Sequence, residues 1–176
     1  MSDRTSWMHE GKRVEWKNAY RRWFYKLIRK RYLSDCESFL DVACGRGLFL
    51  DCMPKGAKRV GVDLQVPKDH FDFEAHNADY KSWTLPMDCV FASQFIEHVD
   101  GAELVKWATS VARKKIVIIT GRPSISFWDD PSHIRPYTKK AVKCLLEEQG
   151  WKITLSLNLH PTLAHITIAE PEGVKG

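Results

Sequence analysis

The chain lacks what several function classes require. No apolar run approaches the roughly 18 residues of a membrane span, and the opening MSDRTSWMHEGKRVEW has no apolar core of a secretory signal. The 5 cysteines (36, 44, 52, 89, 144) form no CxxC pair and have no metal-type spacing with the histidines. Free thiols in a reducing, cytoplasmic setting are therefore expected, with no metal site. Internal repeats and low-complexity linkers are absent. Only 10 glycines occur in 176 residues, yet Gly45 and Gly47 sit two apart. The formal charge of +5 is uneven: residues 1–34 hold ten Lys or Arg against three acids, a local +7 that leaves −2 for the rest.

What is present is an alternating pattern. Residues 14–32 place Trp16, Tyr20, Trp23, Phe24, Leu27 and Ile28 at helical spacing, opposite Lys17, Arg21, Arg22, Lys26 and Arg29. SFLDVA reads as a strand, followed by a helix from Gly47 that stops near Pro54. KRVGVDL, DFEAHNA and MDCVFAS follow as strands, FIEHV and AELVKWATSVA as helical segments, and KKIVIIT as a strongly apolar fifth strand. TKKAVKCLLEEQG is a helix stopped by Gly150 and capped by Thr138, and KITLSLNL and LAHITIAE close the chain. Strand–helix alternation predicts an α/β fold with a mostly parallel sheet and helices on both faces. The short connection at His160-Pro161 predicts that the last two strands run antiparallel.

The glycine turn follows the first strand, where ligands of open α/β sheets sit, and glycine lets a ligand approach backbone. Asp63 ends the second strand 22 residues after Asp41 and suits the two hydroxyls of a ribose. A dinucleotide fingerprint needs a third glycine, but Leu50 stands there. Asp41, just before the turn, suits a cation better than a pyrophosphate. S-adenosylmethionine, for one, carries a sulfonium and an ammonium and has no phosphate.

LDVACGRG, GVDL, NAD and DCVFASQFIEHV, in this order from about residue 38, resemble the signature motifs of the class I S-adenosylmethionine-dependent methyltransferases. The resemblance implies a doubly wound, Rossmann-like sheet of seven strands with an antiparallel C-terminal hairpin. Residues 35–176 would form this domain, and the basic aromatic helix of residues 1–34 would be part of it. By the same resemblance Asp41, Ala43, Gly45 and Gly47 line the methionine end of the cofactor. Asp63 holds the ribose and Leu64 lies on the adenine. Ala78 and Asp79 meet the adenine edge, and Ser93 and Gln94 form the floor beneath the sulfonium. Ala43 departs from the pattern, which has glycine there. Cys44 reads as a small turn residue rather than a nucleophile.

The acceptor is expected in two loops. Ser93-Gln94-Phe95-Ile96 lacks the Asn/Asp-Pro-Pro-aromatic stretch of enzymes that methylate exocyclic amines of DNA bases or glutamine amides, which favours a small molecule. GRPSISFWDDPSHIRPYT, residues 121–138, is long for a loop in a compact domain and resembles a DDPxHxRxYT stretch of small-molecule methyltransferases. His133 and His98 are the catalytic candidates, with Asp129, Asp130, Arg135 and Tyr137 behind them; the alternative is that these residues only pin the loop. Lys17, Arg21, Arg22 and Lys26 offer contacts to an anionic surface or nucleic acid. The rival readings are an RNA or protein methyltransferase gripping its substrate through that helix, and a non-catalytic S-adenosylmethionine-binding partner subunit.

Overall fold

A computed structural model describes residues 11–67, 71–159 and 164–173, with side chains from residue 18 onward except at 125 and 126. Side chains of Trp16 and Lys17 and the His160-Pro161 connection lie outside the described residues.

The strands are β1 (Ser38–Val42), β2 (Lys58–Asp63), β3 (Glu74–Asn77), β4 (Met87–Ser93), β5 (Ala112–Gly121), β6 (Trp151–Leu159) and β7 (Ala164–Pro171). They form one sheet in the order β3-β2-β1-β4-β5-β7-β6. β3, β2, β1, β4 and β5 are parallel, while β7 runs antiparallel to both β5 and β6. The expected hairpin is therefore present. Central strands buried on both faces read as continuous apolar runs, and Ile116–Ile119 shows why: all four β-branched side chains are inside.

Three helices flank the sheet: α1 (Gly11–Tyr32), α2 (Gly101–Val111) and α3 (Lys139–Glu147). Asp100 caps α2 by accepting from the N–H groups of Ala102 and Glu103 at 2.9 and 3.0 Å. Thr138 caps α3 through the Ala141 N–H at 3.1 Å, and Gly150 lies past its end at φ +74°. α2 and α3 cover one face with Leu104, Val105, Ala108, Val142 and Leu146. α1 covers the other with Tyr25 and Ile28, joined by Leu33 below it.

Two expectations change. The helix from Gly47 is absent: residues 46–49 form turns, and only Leu50–Cys52 make a single 3-10 turn. Three residues at positive φ before it (Ala43, Gly45 and Gly47) and Pro54 after it leave too few residues to nucleate an α-helix. No helix N-terminus therefore faces the glycine turn. The apolar stripe of α1 is also rotated from the predicted one. Tyr25 is buried, with Phe49 and Phe91 edge-on to it at 5.7 and 5.4 Å, whereas Trp23 is 57% exposed. Phe49 and Phe91 stack at 3.7 Å. A run of aromatics at 20, 23, 24 and 25 satisfies several helical stripes, and the aromatic socket on the sheet selects the one containing Tyr25.

Parallel pairing aligns the carboxyl ends of β1, β2, β4 and β5 along one edge. Every residue singled out from the sequence as cofactor- or acceptor-facing, from Asp41 to His133, lies at or beyond that edge.

Candidate functional site

The site is a turn attached to a strand end. Cys44 N–H reaches back to the Val62 carbonyl at 3.3 Å, and Gly47 N–H closes the turn on the Cys44 carbonyl at 2.8 Å. Asp63 locks the turn to β2: its Oδ2 accepts from Gly45 N–H at 2.9 Å and its Oδ1 from Gln65 N–H at 3.0 Å. Each oxygen keeps accepting capacity for a ligand hydroxyl.

The three small residues of the turn play different parts. Gly45, at φ +50°, has open space where a side chain would stand. Gly47, at φ +68°, has the Phe73 ring in that space, 2.1 Å from where a Cβ would lie. Gly47 is thus required for packing, and Gly45 leaves its backbone open to a ligand. Phe73 is held there by its neighbour Asp72, which accepts from the buried Arg59 at 3.1 Å while Arg59 also donates to the Asp72 carbonyl at 2.7 Å and the Leu50 carbonyl at 3.3 Å. The Asp72 carboxyl is lowered from its ordinary range, first by its hydrogen bond from Arg59. Ala43 stands at φ +56°, a left-handed conformation that costs a residue with a Cβ about 1–2 kcal/mol. The departure from glycine at this position is therefore one of backbone strain rather than of space.

Asp41 is 4% exposed, and no ion pair reaches it among the described residues. Burial pushes its carboxyl well above the usual range, and the nearby Asp63 adds to the rise. Burial, again reinforced by Asp41 and Asp63, raises the Cys44 thiol strongly, which removes it as a nucleophile at neutral pH.

At the neighbouring strand ends, Gln94 leaves β4 at φ +54°, with its N–H on the Ile119 carbonyl at 2.7 Å. Leu64 is 66% exposed beside Asp63. Asp79 caps the turn after β3, accepting from Lys81 N–H at 2.8 Å, and Ala78 N–H binds the Asp63 carbonyl at 2.9 Å.

The two histidines named from sequence come together. Their rings are 4.7 Å apart, although His98 follows β4 and His133 belongs to the loop after β5. Glu97 joins them: it is 1% exposed, its Oε2 accepts from Thr120 Oγ1 at 2.8 Å, and its carbonyl receives Ile134 N–H at 2.8 Å. Phe127 stacks on His133 at 4.3 Å. Trp128 and Ile134 stand exposed on the same loop.

Of the lesser candidates, Tyr137 is structural. Its hydroxyl accepts from Gly101 N–H at 2.9 Å, and its carbonyl pairs with His165 at 2.9 Å. Arg135 lies over the Tyr137 ring at 5.5 Å, and Asp130 accepts from Ser132. Arg22 is paired with Asp51 at 3.2 Å, so α1 offers fewer free cations than its sequence suggests. Sequence reasoning singled out neither Glu97 nor Thr120 nor Phe73 for the site. Glu97 could have been found as an acid inside an otherwise apolar FIEHV, whereas Phe73 carried no signal.

No protein-family model matches the chain, and no curated protein matches its sequence. Solved structures do match its fold. Magnesium protoporphyrin IX methyltransferase from Synechocystis PCC 6803, with bound SAH, superposes at a TM-score of 0.68 with 12% identity, over 86% of this chain and 83% of that one. An S-adenosylmethionine-dependent methyltransferase from Mesorhizobium loti gives 0.59 with 17% identity, over 76% and 90%. Geranyl diphosphate C-methyltransferase from Streptomyces coelicolor A3(2), in complex with Mg2+, geranyl diphosphate and S-adenosyl-L-homocysteine, gives 0.65 with 12% identity, over 76% and 71%. The chain has the class I methyltransferase fold. In that fold's terms, the turn 43–47 is the first strand's exit and Asp63 the second's. Among the described residues, no helix is long and apolar enough to cross a membrane.

Two outcomes test this geometry. Ala43→Gly should stabilise the protein by about 0.5–1 kcal/mol, the relieved strain less the greater freedom of an unfolded glycine. A loss of stability in urea unfolding would mean that the turn is not left-handed at residue 43. A carboxyl whose pKa is raised by folding contributes stability below its unfolded pKa and loses it as pH rises through the folded value. Wild type should therefore lose stability relative to Asp41→Asn as pH goes from about 4 to about 8. A constant difference across that range would place Asp41 in a wetter setting.

Proposed function

We propose that this protein transfers a methyl group from S-adenosylmethionine to an oxygen or nitrogen of a small-molecule acceptor. The observation that carries the reading is the buried, uncompensated Asp41 carboxyl beside an open glycine and the Asp63 carboxylate. That combination fits a ligand with a cation at one end and a ribose next to it, and the fold shared with the methyltransferases above agrees with it.

Bound S-adenosylmethionine supplies a methyl group already activated on sulfur. The chain's own work is positioning in a site shielded from water. Asp63 accepts from the ribose hydroxyls while its bonds to Gly45 and Gln65 keep it from turning away. Asp41 would hold the ammonium, whose charge would favour the ionised form of the carboxyl. Leu64 covers one adenine face, and Ala78 and Asp79 meet its edge. Ser93 and Gln94 form the floor between cofactor and acceptor. On the acceptor side Trp128 and Ile134 give an apolar rim, with His98 and His133 as the polar groups that orient the accepting atom and receive its proton.

Calorimetry with S-adenosylhomocysteine tests the reading. Wild type should bind in the micromolar range, and Asp63→Ala should weaken binding about tenfold or more, the loss of hydrogen bonds to a charged acceptor. His133→Ala should bind it as wild type does. No binding by wild type would end the methyl-transfer reading, and equal binding by Asp63→Ala would end the ribose assignment.

A further inference from the structure

Glu97, His98 and His133 come from two loops, and one ligand atom from each lies within 4.8 Å of the others. Proximity alone says little. What distinguishes this cluster is how the histidines are held. His133 Nδ1 donates to the Phe127 carbonyl at 2.5 Å. His98 Nδ1 faces the Ser132 carbonyl at 3.2 Å and the Ser132 hydroxyl at 3.0 Å. That hydroxyl donates to Asp130 Oδ1 at 2.6 Å, so towards His98 it accepts. In the neutral form of each ring the proton is thus on Nδ1 and the lone pair on Nε2. A carbonyl or carboxylate behind the far ring nitrogen is the arrangement that orients histidines binding metals. Glu97 follows the same pattern: Thr120 holds Oε2 and leaves Oε1 available.

We propose that Glu97, His98 and His133 bind one first-row divalent cation of the zinc type, through Oε1 and the two Nε2 atoms. Two imidazoles and one carboxylate are borderline donors suited to Zn2+, Co2+ or Fe2+ rather than Mg2+ or Ca2+. Bonds of about 2.1 Å in a tetrahedral site put ligands about 3.4 Å apart, so three ligand atoms within 4.8 Å of one another would each have to close by about 1 Å. Three protein ligands leave a position open for an oxygen of a small molecule, a hydroxyl or a carboxylate. Asp130 Oδ2 lies 3.8 Å from His133 Nε2.

The site stands on its own geometry and does not need the methyl-transfer reading. Where both hold, the cation takes over from the histidines as the group that binds the acceptor oxygen and favours its deprotonated form. The spacing along the chain carries no metal signature because the ligands sit 35 residues apart in two loops.

Cobalt titration of the metal-stripped full chain, followed by visible absorption, tests it. Wild type should bind one Co2+ with a dissociation constant below about 10 micromolar, displaceable by Zn2+. His98→Ala and His133→Ala should each weaken binding at least tenfold, and Glu97→Gln likewise. Because Glu97 also anchors the loop, circular dichroism checks that variant's fold, and the two histidine variants decide the matter if it unfolds. Cys144→Ser, at the one exposed thiol among the described residues, should bind as wild type does. Weaker wild-type binding than that limit, or wild-type affinity in either histidine variant, overturns the site. S-adenosylhomocysteine affinity is measured separately on the same proteins, so failure of the cation site and failure of the methyl-transfer reading are told apart.

Discussion

Two carboxylates at the exits of neighbouring parallel strands, with burial working against the charge of one, set the character of this molecule. Asp41 is 4% exposed, placed by the strand that carries it, between β2 and β4. Asp63 sits one strand away and is fixed by two backbone N–H groups. Burial favours the neutral form of the Asp41 carboxyl. For the cationic ligand proposed above, part of the binding energy would come from stabilising its ionised form.

The remaining parts follow from where that pair must sit. The turn over it adopts left-handed dihedrals at residues 43, 45 and 47, and strain at Ala43 is tolerated because strands on both sides over-determine the chain path. With no full helix after the turn, cover comes from elsewhere: Phe73 fills the space over Gly47, held by the Arg59–Asp72 pair. α1 completes this face through Tyr25 on Phe49 and Phe91. The basic helix is thus part of the core's roof, and one of its arginines is already spent on Asp51.

The long loop after β5 is organised by a different carboxylate. Glu97 ties the end of β5 through Thr120 and the long loop through Ile134, so three segments distant in sequence share one anchor. The histidines converge because that anchor brings their backbones together.

Much of the fold was legible in the chain itself. The β-branched runs at 116–119 and 166–168, the caps at Thr138 and Gly150 and the order of the motifs all point to the observed sheet, since each is a local preference that the global arrangement does not oppose. Asp41 and Asp63 were legible for the same reason: strand ends fix where their residues go. The stripe of α1 was not, because adjacent aromatics give several equal stripes and only the Phe49–Phe91 socket chooses. Nor was the loss of the helix at Gly47, which follows from left-handed dihedrals that only the folded turn reveals. The meeting of Glu97, His98 and His133 belongs wholly to tertiary structure, because contacts between loops depend on where a sheet carries their ends and leave no period in the sequence.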